Sequence, residues 1–234
     1  MSERPRFGYP VSLDLAGRTA VVVGDEAVAQ GKVEGLLAAG AHVTVVAGGP
    51  AVALSALESD PRVTVARRPW RPADLDGATV CVAASPDPAT RAAVCQAARD
   101  RGVLVNVMDD VEHCDFAAPA LVRRGDLLIA ISTGGRSPAL ARRLRELLEG
   151  RFGDEWAVVL DLLAEVRAAT LDRLPDLPER ARRWQEALDL DDLVCLVSAG
   201  RYEEAKQALT TRLLSGGPDP ATPTGRPGRA ELAG

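Results

Sequence analysis

The first half of the chain alternates short valine-rich runs with stretches of helical periodicity, and this alternation constrains the fold more than any other feature. The apolar runs are predicted strands, and they lie at residues 19–23, 42–46, 63–66, 79–84 and 104–108. Helical patterns occupy residues 27–39 and 89–100 between them. Strands connected through helices form parallel sheets with right-handed crossovers, and strands that are almost wholly apolar need cover on both faces. The sequence therefore predicts an α/β domain built on a parallel sheet.

The pattern changes after Asp109. Apolar runs at 117–122 and 127–132 flank the polar sequence Arg-Arg-Gly-Asp at 123–126, which predicts a β-hairpin with its turn there. Ser137 and Pro138 suit the cap and first residue of a helix. Apolar residues at helical spacing then continue through residues 154–214, whereas the Pro- and Gly-rich tail at 215–234 is predicted to be disordered.

Composition excludes several classes of function. A net charge of −5 over 234 residues gives no reason to expect nucleic acid or a membrane as a partner. No apolar run approaches the roughly 20 residues of a membrane span, and the amino terminus lacks the apolar core of a signal peptide, so we expect a cytoplasmic protein. The four cysteines form no CxxC pair and there are two histidines, so no metal cage is predicted.

Residues 24–29, Gly-Asp-Glu-Ala-Val-Ala, follow the first predicted strand and precede a helix. A dinucleotide-binding fold places its GxGxxG/A motif at this point. Gly24 and Ala29 fit the first and last small positions, but Glu26 stands where the middle glycine normally lets pyrophosphate approach the backbone. The acidic pair thus predicts weakened NAD binding. Asp25 and Glu26 alternatively cap the helix and interact with its dipole.

Two further stretches carry candidate chemistry. Asp109 follows a strand at its carboxyl end, where open α/β sheets bind ligands. Taken alone, Asp109 and Asp110 also fit residues that cap the strand or begin a turn. In Ser-Thr-Gly-Gly-Arg-Ser-Pro at 132–138, glycine N–H groups and a helix N-terminus favour anions, and Arg136 could bind a carboxylate through two hydrogen bonds. An ordinary capped loop would explain the Gly, Ser and Pro of this stretch but not Arg136. Adjacent His113, Cys114 and Asp115 cannot all face one ion from a regular strand.

The βαβ unit at 19–46, Asp109, Cys-Asp-Phe at 114–116 and the loop at 132–138 together resemble the siroheme synthase family in its single-module form, whose members act as precorrin-2 dehydrogenase and sirohydrochlorin ferrochelatase. The family usually has three consecutive glycines where this chain has Gly-Asp-Glu. The resemblance implies NAD-dependent oxidation of precorrin-2 to sirohydrochlorin, followed by insertion of Fe²⁺, or of Co²⁺ in its place. It assigns Asp109 as the general base for both reactions.

The resemblance also implies an architecture and a set of contacts. A Rossmann-like domain at 1–112, a β-hairpin/helix dimerisation segment at 113–150 and a helical domain at 151–214 are expected, in a homodimer. The expected nucleotide contacts are Gly24, Ala27, Val28, Gly48 and Gly49, with Ala84 and Ser85 lining the same crevice. The expected substrate contacts are Thr133, Gly134, Gly135, Arg136 and Ser137, and no fixed metal ligand is expected.

Two other functions remain open from the residues alone. A non-catalytic tetrapyrrole- or metal-binding protein could use the same scaffold. An ordinary NAD(P)-dependent oxidoreductase acting on a small substrate is disfavoured by Glu26 and by the lack of a Tyr/Lys or His-based catalytic set. Multiple-turnover metal insertion would separate a chelatase from a binding protein.

Overall fold

The structure is a computed structural model that describes residues 7–24, 27–49 and 52–215. The predictions made for Asp25 and Glu26, and for the tail after Ser215, lie outside these described residues.

Five parallel strands form the main sheet, in the spatial order β3-β2-β1-β4-β5. They are β1 (Thr19–Val23), β2 (His42–Ala47), β3 (Val63–Arg67), β4 (Val80–Ala83) and β5 (Leu104–Val107). The helices α1 (Ala27–Ala38) and α2 (Pro88–Arg99) connect β1 to β2 and β4 to β5, and short 3₁₀ turns lie at Val52–Leu57, Pro72–Leu75 and Val111–His113. The strand order reverses between the adjacent strands β1 and β4, which makes this edge the topological switch point of a Rossmann-like sheet. The predicted α/β fold is confirmed.

Apolar packing covers both faces of the sheet. On one face Val22 and Val45 pack with Val33 of α1, and on the other Val21 packs with Val94 of α2. Three successive residues of β1, Ala20 to Val22, are fully buried. The uninterrupted valine runs of the sequence thus reflect strands that contact helices on both sides.

The outer edge of β5 is closed by a short segment that follows it. The Cys114 Sγ lies 3.1 Å from both the N and the O of Val107. The Asp115 Oδ2 accepts a hydrogen bond from Val105 N at 3.0 Å, and Asp115 N donates to Val105 O at 2.8 Å. These contacts satisfy backbone groups that an exposed edge strand would otherwise offer to another chain.

The remaining described residues form a hairpin and helices. The antiparallel strands β6 (Ala120–Arg124) and β7 (Leu127–Ile131) are followed by α3 (Pro138–Arg151), α4 (Glu155–Thr170), α5 (Leu177–Ala187), α6 (Leu190–Ser198) and α7 (Tyr202–Ser215). The hairpin turn is shorter than the sequence predicts, because Arg123 and Arg124 pair with β7 and leave Gly125 and Asp126 as the turn. Gly125 has φ +55°, and a Cβ there would lie 3.1 Å from Ala157 of α4.

Contacts group the described residues into two compact units. The first takes its residues from Met1–Pro119 and Ser132–Ala141, and the second from Ala120–Ile131 and Arg142–Gly234. The core of the second unit is helical, with Leu162, Leu193 and Leu209 fully buried. The predicted boundaries at residues 112 and 150 stay predictions. Within the described part of the chain, no helix is both long and apolar enough to cross a membrane.

Candidate functional site

Gly24 leaves β1 at the carboxyl edge of the sheet and passes very close to the end of β4. Its φ is +139°, and a Cβ at this position would lie 2.6 Å from the backbone C and O of Ala84 and 2.9 Å from Ser85 N. Its N–H donates to Val46 O at 3.0 Å, which also ties it to β2. Only glycine suits this conformation and this contact, so the sequence at this point is fixed by packing as well as by any ligand.

The other predicted nucleotide contacts lie at the same edge. Ala84 and Ser85 follow β4, Gly48 and Gly49 follow β2, and α1 begins at Ala27 and continues through Val28. A Cβ built on Gly48 would meet no atom of the described residues within 4 Å, so these residues leave space beside the end of β2. The structure therefore brings these positions together at the switch point, where open α/β sheets bind ligands.

Asp109 lies two residues beyond β5, in a turn with unusual backbone geometry. It is exposed, with φ +57° in the left-handed region. Aspartate tolerates this region better than most residues, and such conformations persist where the surroundings enforce them, often at functional sites. Among the residues that the structure describes, no hydrogen bond or ion pair engages the Asp109 carboxylate.

Contacts from Cys114 hold this turn in place. Its Sγ lies 3.1 Å from Val107 O and 3.2 Å from Asp110 O, the carbonyls on either side of Asp109. Asn106 Nδ2 approaches the same sulfur at 3.5 Å. The Cys114 sulfur therefore contacts the backbone on both sides of Asp109. Among the described residues, the Asp109 carboxylate keeps its oxygens free for a ligand.

Asp110 has the capping role that the sequence left open. Its carboxylate accepts from His113 N at 3.3 Å and pairs with His113 Nδ1 at 2.7 Å, which caps the 3₁₀ turn. This hydrogen bond holds the pKa of the Asp110 carboxyl below its usual value, and the charge of Arg91 adds to the effect. The two neighbouring aspartates thus differ, since the Asp110 carboxylate has a partner among the described residues and the Asp109 carboxylate has none there.

The glycine-rich loop at 132–137 lies beside this turn. Gly134 and Gly135 have φ +62° and +79°, and a Cβ on Gly135 would lie 3.4 Å from the Val111 side chain, one residue beyond Asp110. The Thr133 Oγ1 is 3.2 Å from both the N and the O of Ser137. The loop is thus ordered next to the Asp109 turn, within the same compact unit.

Ser137 and Arg136 of this loop differ in whether their side chains bond to other described residues. Ser137 Oγ caps α3 by accepting from Leu140 N at 3.2 Å. The exposed Arg136 guanidinium has no hydrogen-bond or ion-pair partner among the described residues. The capped-loop interpretation accounts for Ser137, and it leaves Arg136 available for a ligand anion.

Comparison with known proteins identifies the family of this chain. Residues 11–120 match a family model described as putative NAD(P)-binding, and residues 124–151 match one described as sirohaem biosynthesis protein central. The solved structure of SirC, precorrin-2 dehydrogenase, is 30% identical with a TM-score of 0.68, over 86% of this chain and 98% of that chain. The chain belongs to the siroheme synthase family.

Curated members of the family extend this match. Siroheme synthase 1 of Pectobacterium atrosepticum is 36% identical over 96% of this chain and 47% of its own length. Siroheme synthase of Methylococcus capsulatus is 34% identical over 86% of this chain and 42% of its own length. The chain therefore spans about half the length of the curated relatives it matches. The resemblance found in the sequence is confirmed, while the individual site roles stay predictions.

Proposed function

We propose that this chain oxidises precorrin-2 to sirohydrochlorin with NAD and inserts Fe²⁺ into the product, in the cytoplasm. The observation that carries the proposal is Asp109, held in a strained turn at the carboxyl edge of a Rossmann-like sheet, with a carboxylate that no described residue pairs with. The likeness to SirC and to the siroheme synthases supports it.

The described residues at the switch point fit a dinucleotide. Gly24 has no room for a side chain, open space adjoins Gly48, and both lie at strand ends. Backbone groups at these strand ends and in the first turn of α1 would hold NAD. The residues concerned are Gly24, Gly48, Gly49, Ala84 and Ser85, with Ala27 and Val28 of α1. When bound, NAD supplies a hydride acceptor.

Asp109 would accept protons in both reactions. Oxidation of precorrin-2 removes a proton together with a hydride, and metal insertion removes the pyrrole N–H protons of sirohydrochlorin. A carboxylate without a protein partner can take these protons and release them to water. The metal ion, Fe²⁺ or Co²⁺, is a substrate in this scheme.

The loop at 132–137 would bind the tetrapyrrole. Precorrin-2 and sirohydrochlorin carry carboxylates around the macrocycle, and the loop offers Gly134 and Gly135 shortly before the start of α3. The Arg136 guanidinium can contribute a charge-assisted hydrogen bond to one carboxylate. Because Gly135 lies against Val111, a tetrapyrrole held by the loop would lie near Asp109.

Two assays on the purified protein test the proposal. Precorrin-2 and NAD should yield the absorption spectrum of sirohydrochlorin, and sirohydrochlorin with Fe²⁺ or Co²⁺ should be converted over many turnovers. Conversion limited to one equivalent of protein, with no dehydrogenation, would favour the non-catalytic tetrapyrrole-binding protein and reject the proposed enzyme.

The acidic loop predicts weak NAD binding, since a carboxylate about 4 Å from a phosphate charge costs on the order of 4 kcal/mol at an effective dielectric of 20. Restoring glycine at both Asp25 and Glu26 should tighten NAD binding by about tenfold or more, where ~1.4 kcal/mol is one decade. Calorimetry on both proteins measures this, with thermal unfolding as a control for loss of a helix cap. Micromolar affinity of the unaltered chain, unimproved by the two glycines, would show that the acids do not oppose NAD.

We also propose a homodimer formed through the hairpin. Its outward face carries Leu121 and Leu128, which are 36% and 38% exposed, and a two-stranded sheet is marginally stable by itself. We expect light scattering at micromolar concentration to give about twice the 24.6 kDa of one chain, and Leu121→Asp with Leu128→Asp to give monomers. Leu171→Asp, a change at another exposed leucine, is the matched control. A mass of 24.6 kDa for the unaltered chain would contradict the proposal.

A further inference from the structure

We infer that Lys32 binds a peripheral carboxylate of the tetrapyrrole, on the side of α1 that approaches the Asp109 turn. This inference rests on the proposed function and adds a substrate contact to it. It names a residue outside the predicted contact set, whose members lie in the strand-end loops, at the start of α1 and in the loop at 132–137.

Lys32 is a partly buried cation, and no residue of the described ranges supplies a counterion. Lysine occurs at two positions, 32 and 206, among 28 basic residues. Lys206 forms an ion pair with Glu165 at 2.6 Å, whereas the Lys32 ammonium has no hydrogen-bond or ion-pair partner among the described residues. Burying an ammonium without a partner is unfavourable, so a site of this kind gains from an anionic ligand.

The surroundings of Lys32 place it toward the end of β5. The adjacent Val33 packs in the same cluster as Met108 and Phe116, which lie on either side of the Asp109–Cys114 turn in sequence. The pKa of Lys32 is lowered by burial, and the nearby Cys114 thiol partly opposes that shift. Cys114 in turn contacts the carbonyls that flank Asp109. Helix α1 therefore packs on the sheet face that also carries Met108 and Phe116, the residues that flank the Asp109 turn.

Open space adjoins Lys32 along α1. A Cβ built on Gly31 or on Gly35 would meet nothing within 4 Å. Gly35 is three residues beyond Lys32, so the two positions are neighbours on the helix surface. Glycine within a helix lowers its stability relative to alanine, and no close backbone contact explains these two. They leave room beside the ammonium for part of a ligand.

The tetrapyrrole fits this position better than the nucleotide phosphates do. The pyrophosphate of a Rossmann fold lies at the N-terminus of the first helix, whereas Lys32 is five residues beyond Ala27, about 7.5 Å along the axis at 1.5 Å per residue. A peripheral carboxylate of a macrocycle placed against Asp109 would reach the side of α1 where Lys32 lies.

Binding titrations test the inference. Sirohydrochlorin is titrated into the full chain, and into Lys32→Met and Lys32→Arg, with its absorption spectrum as the readout. Lys32→Met keeps most of the aliphatic length and removes the charge, so we expect affinity to fall by about tenfold or more, the worth of one charge-assisted hydrogen bond. Lys32→Arg should recover most of it. Lys206→Met is the matched control and should bind like the unaltered chain.

The outcomes separate this inference from the proposed function. If the unaltered chain does not bind sirohydrochlorin, the proposed function fails. If it binds and Lys32→Met binds equally well, the role of Lys32 is wrong and the proposed function stands. NAD affinity is measured on the same proteins, because a loss confined to NAD would assign Lys32 to the nucleotide and overturn the inference. Thermal unfolding within a few degrees of the unaltered chain confirms that Lys32→Met is folded.

Discussion

Asp109→Asn is expected to lower the rates of precorrin-2 oxidation and of metal insertion by about 10²–10⁴-fold, the usual cost of losing a general base. The amide keeps the shape of the side chain and cannot accept the substrate proton. Asparagine also tolerates the left-handed conformation that Asp109 adopts at φ +57°, so the turn should be retained. Initial rates with saturating substrate measure the effect, and equilibrium binding of sirohydrochlorin should change little.

Asp110→Asn is the matched control for this experiment. Asp110 carries the same side chain one position away, but its carboxylate is engaged by His113. An asparagine can still accept from the backbone N–H of His113, so we expect a small loss of stability and rates within a few fold of the unaltered enzyme. Equal rates for Asp109→Asn and the unaltered enzyme would reject Asp109 as the base. Equal losses for both variants would point to disruption of the turn.

Much of the Rossmann-like unit was predictable because its signals are local. The predicted valine-rich strands correspond to β1 to β5, with bounds that differ by one residue at most. The helices predicted between them indicated a parallel sheet, as the structure has. The position of Asp109 at a strand end followed from the same pattern. Its left-handed backbone did not, because that conformation depends on Cys114 returning to contact Val107 and Asp110.

Other features depend on tertiary packing that no sequence pattern specifies. Cys114 and Asp115 close the edge of β5 through their particular register against Val105 and Val107. The partial burial of Lys32 depends on where α1 lies relative to β5, and the sequence shows no more than a basic residue on a helix. In the hairpin, the polar side chain of Arg124 led to its prediction as a turn residue, whereas its backbone pairs with Leu127 in the sheet.

Gly24 shows how a motif residue can have two separate reasons to be glycine. The sequence suggests that it keeps the backbone clear for pyrophosphate. In the structure it also lies against the backbone of Ala84 and Ser85, where a Cβ would come within 2.6–2.9 Å of three backbone atoms. Backbone atoms directly after a central strand cannot move aside as a flexible side chain can. The requirement for glycine would therefore persist even in a chain that did not bind NAD.

Gly24→Ala is accordingly expected to destabilise the Rossmann-like unit by about 2–6 kcal/mol, whether or not NAD is present, because it adds overpacking of roughly 1–3 kcal/mol to backbone strain of a similar size. Urea unfolding of the full chain measures this. Trp70, which is partly buried and packs against the core of that unit, can report on it alone once Trp156 and Trp184 are replaced by phenylalanine. Gly48→Ala, at another strand end but with open space around its Cβ, is the matched control and should change stability by less than about 0.5 kcal/mol. If both variants unfold at the same urea concentration, the contact between Gly24 and the end of β4 is not the constraint on this residue, and its glycine would then have to be explained by the ligand.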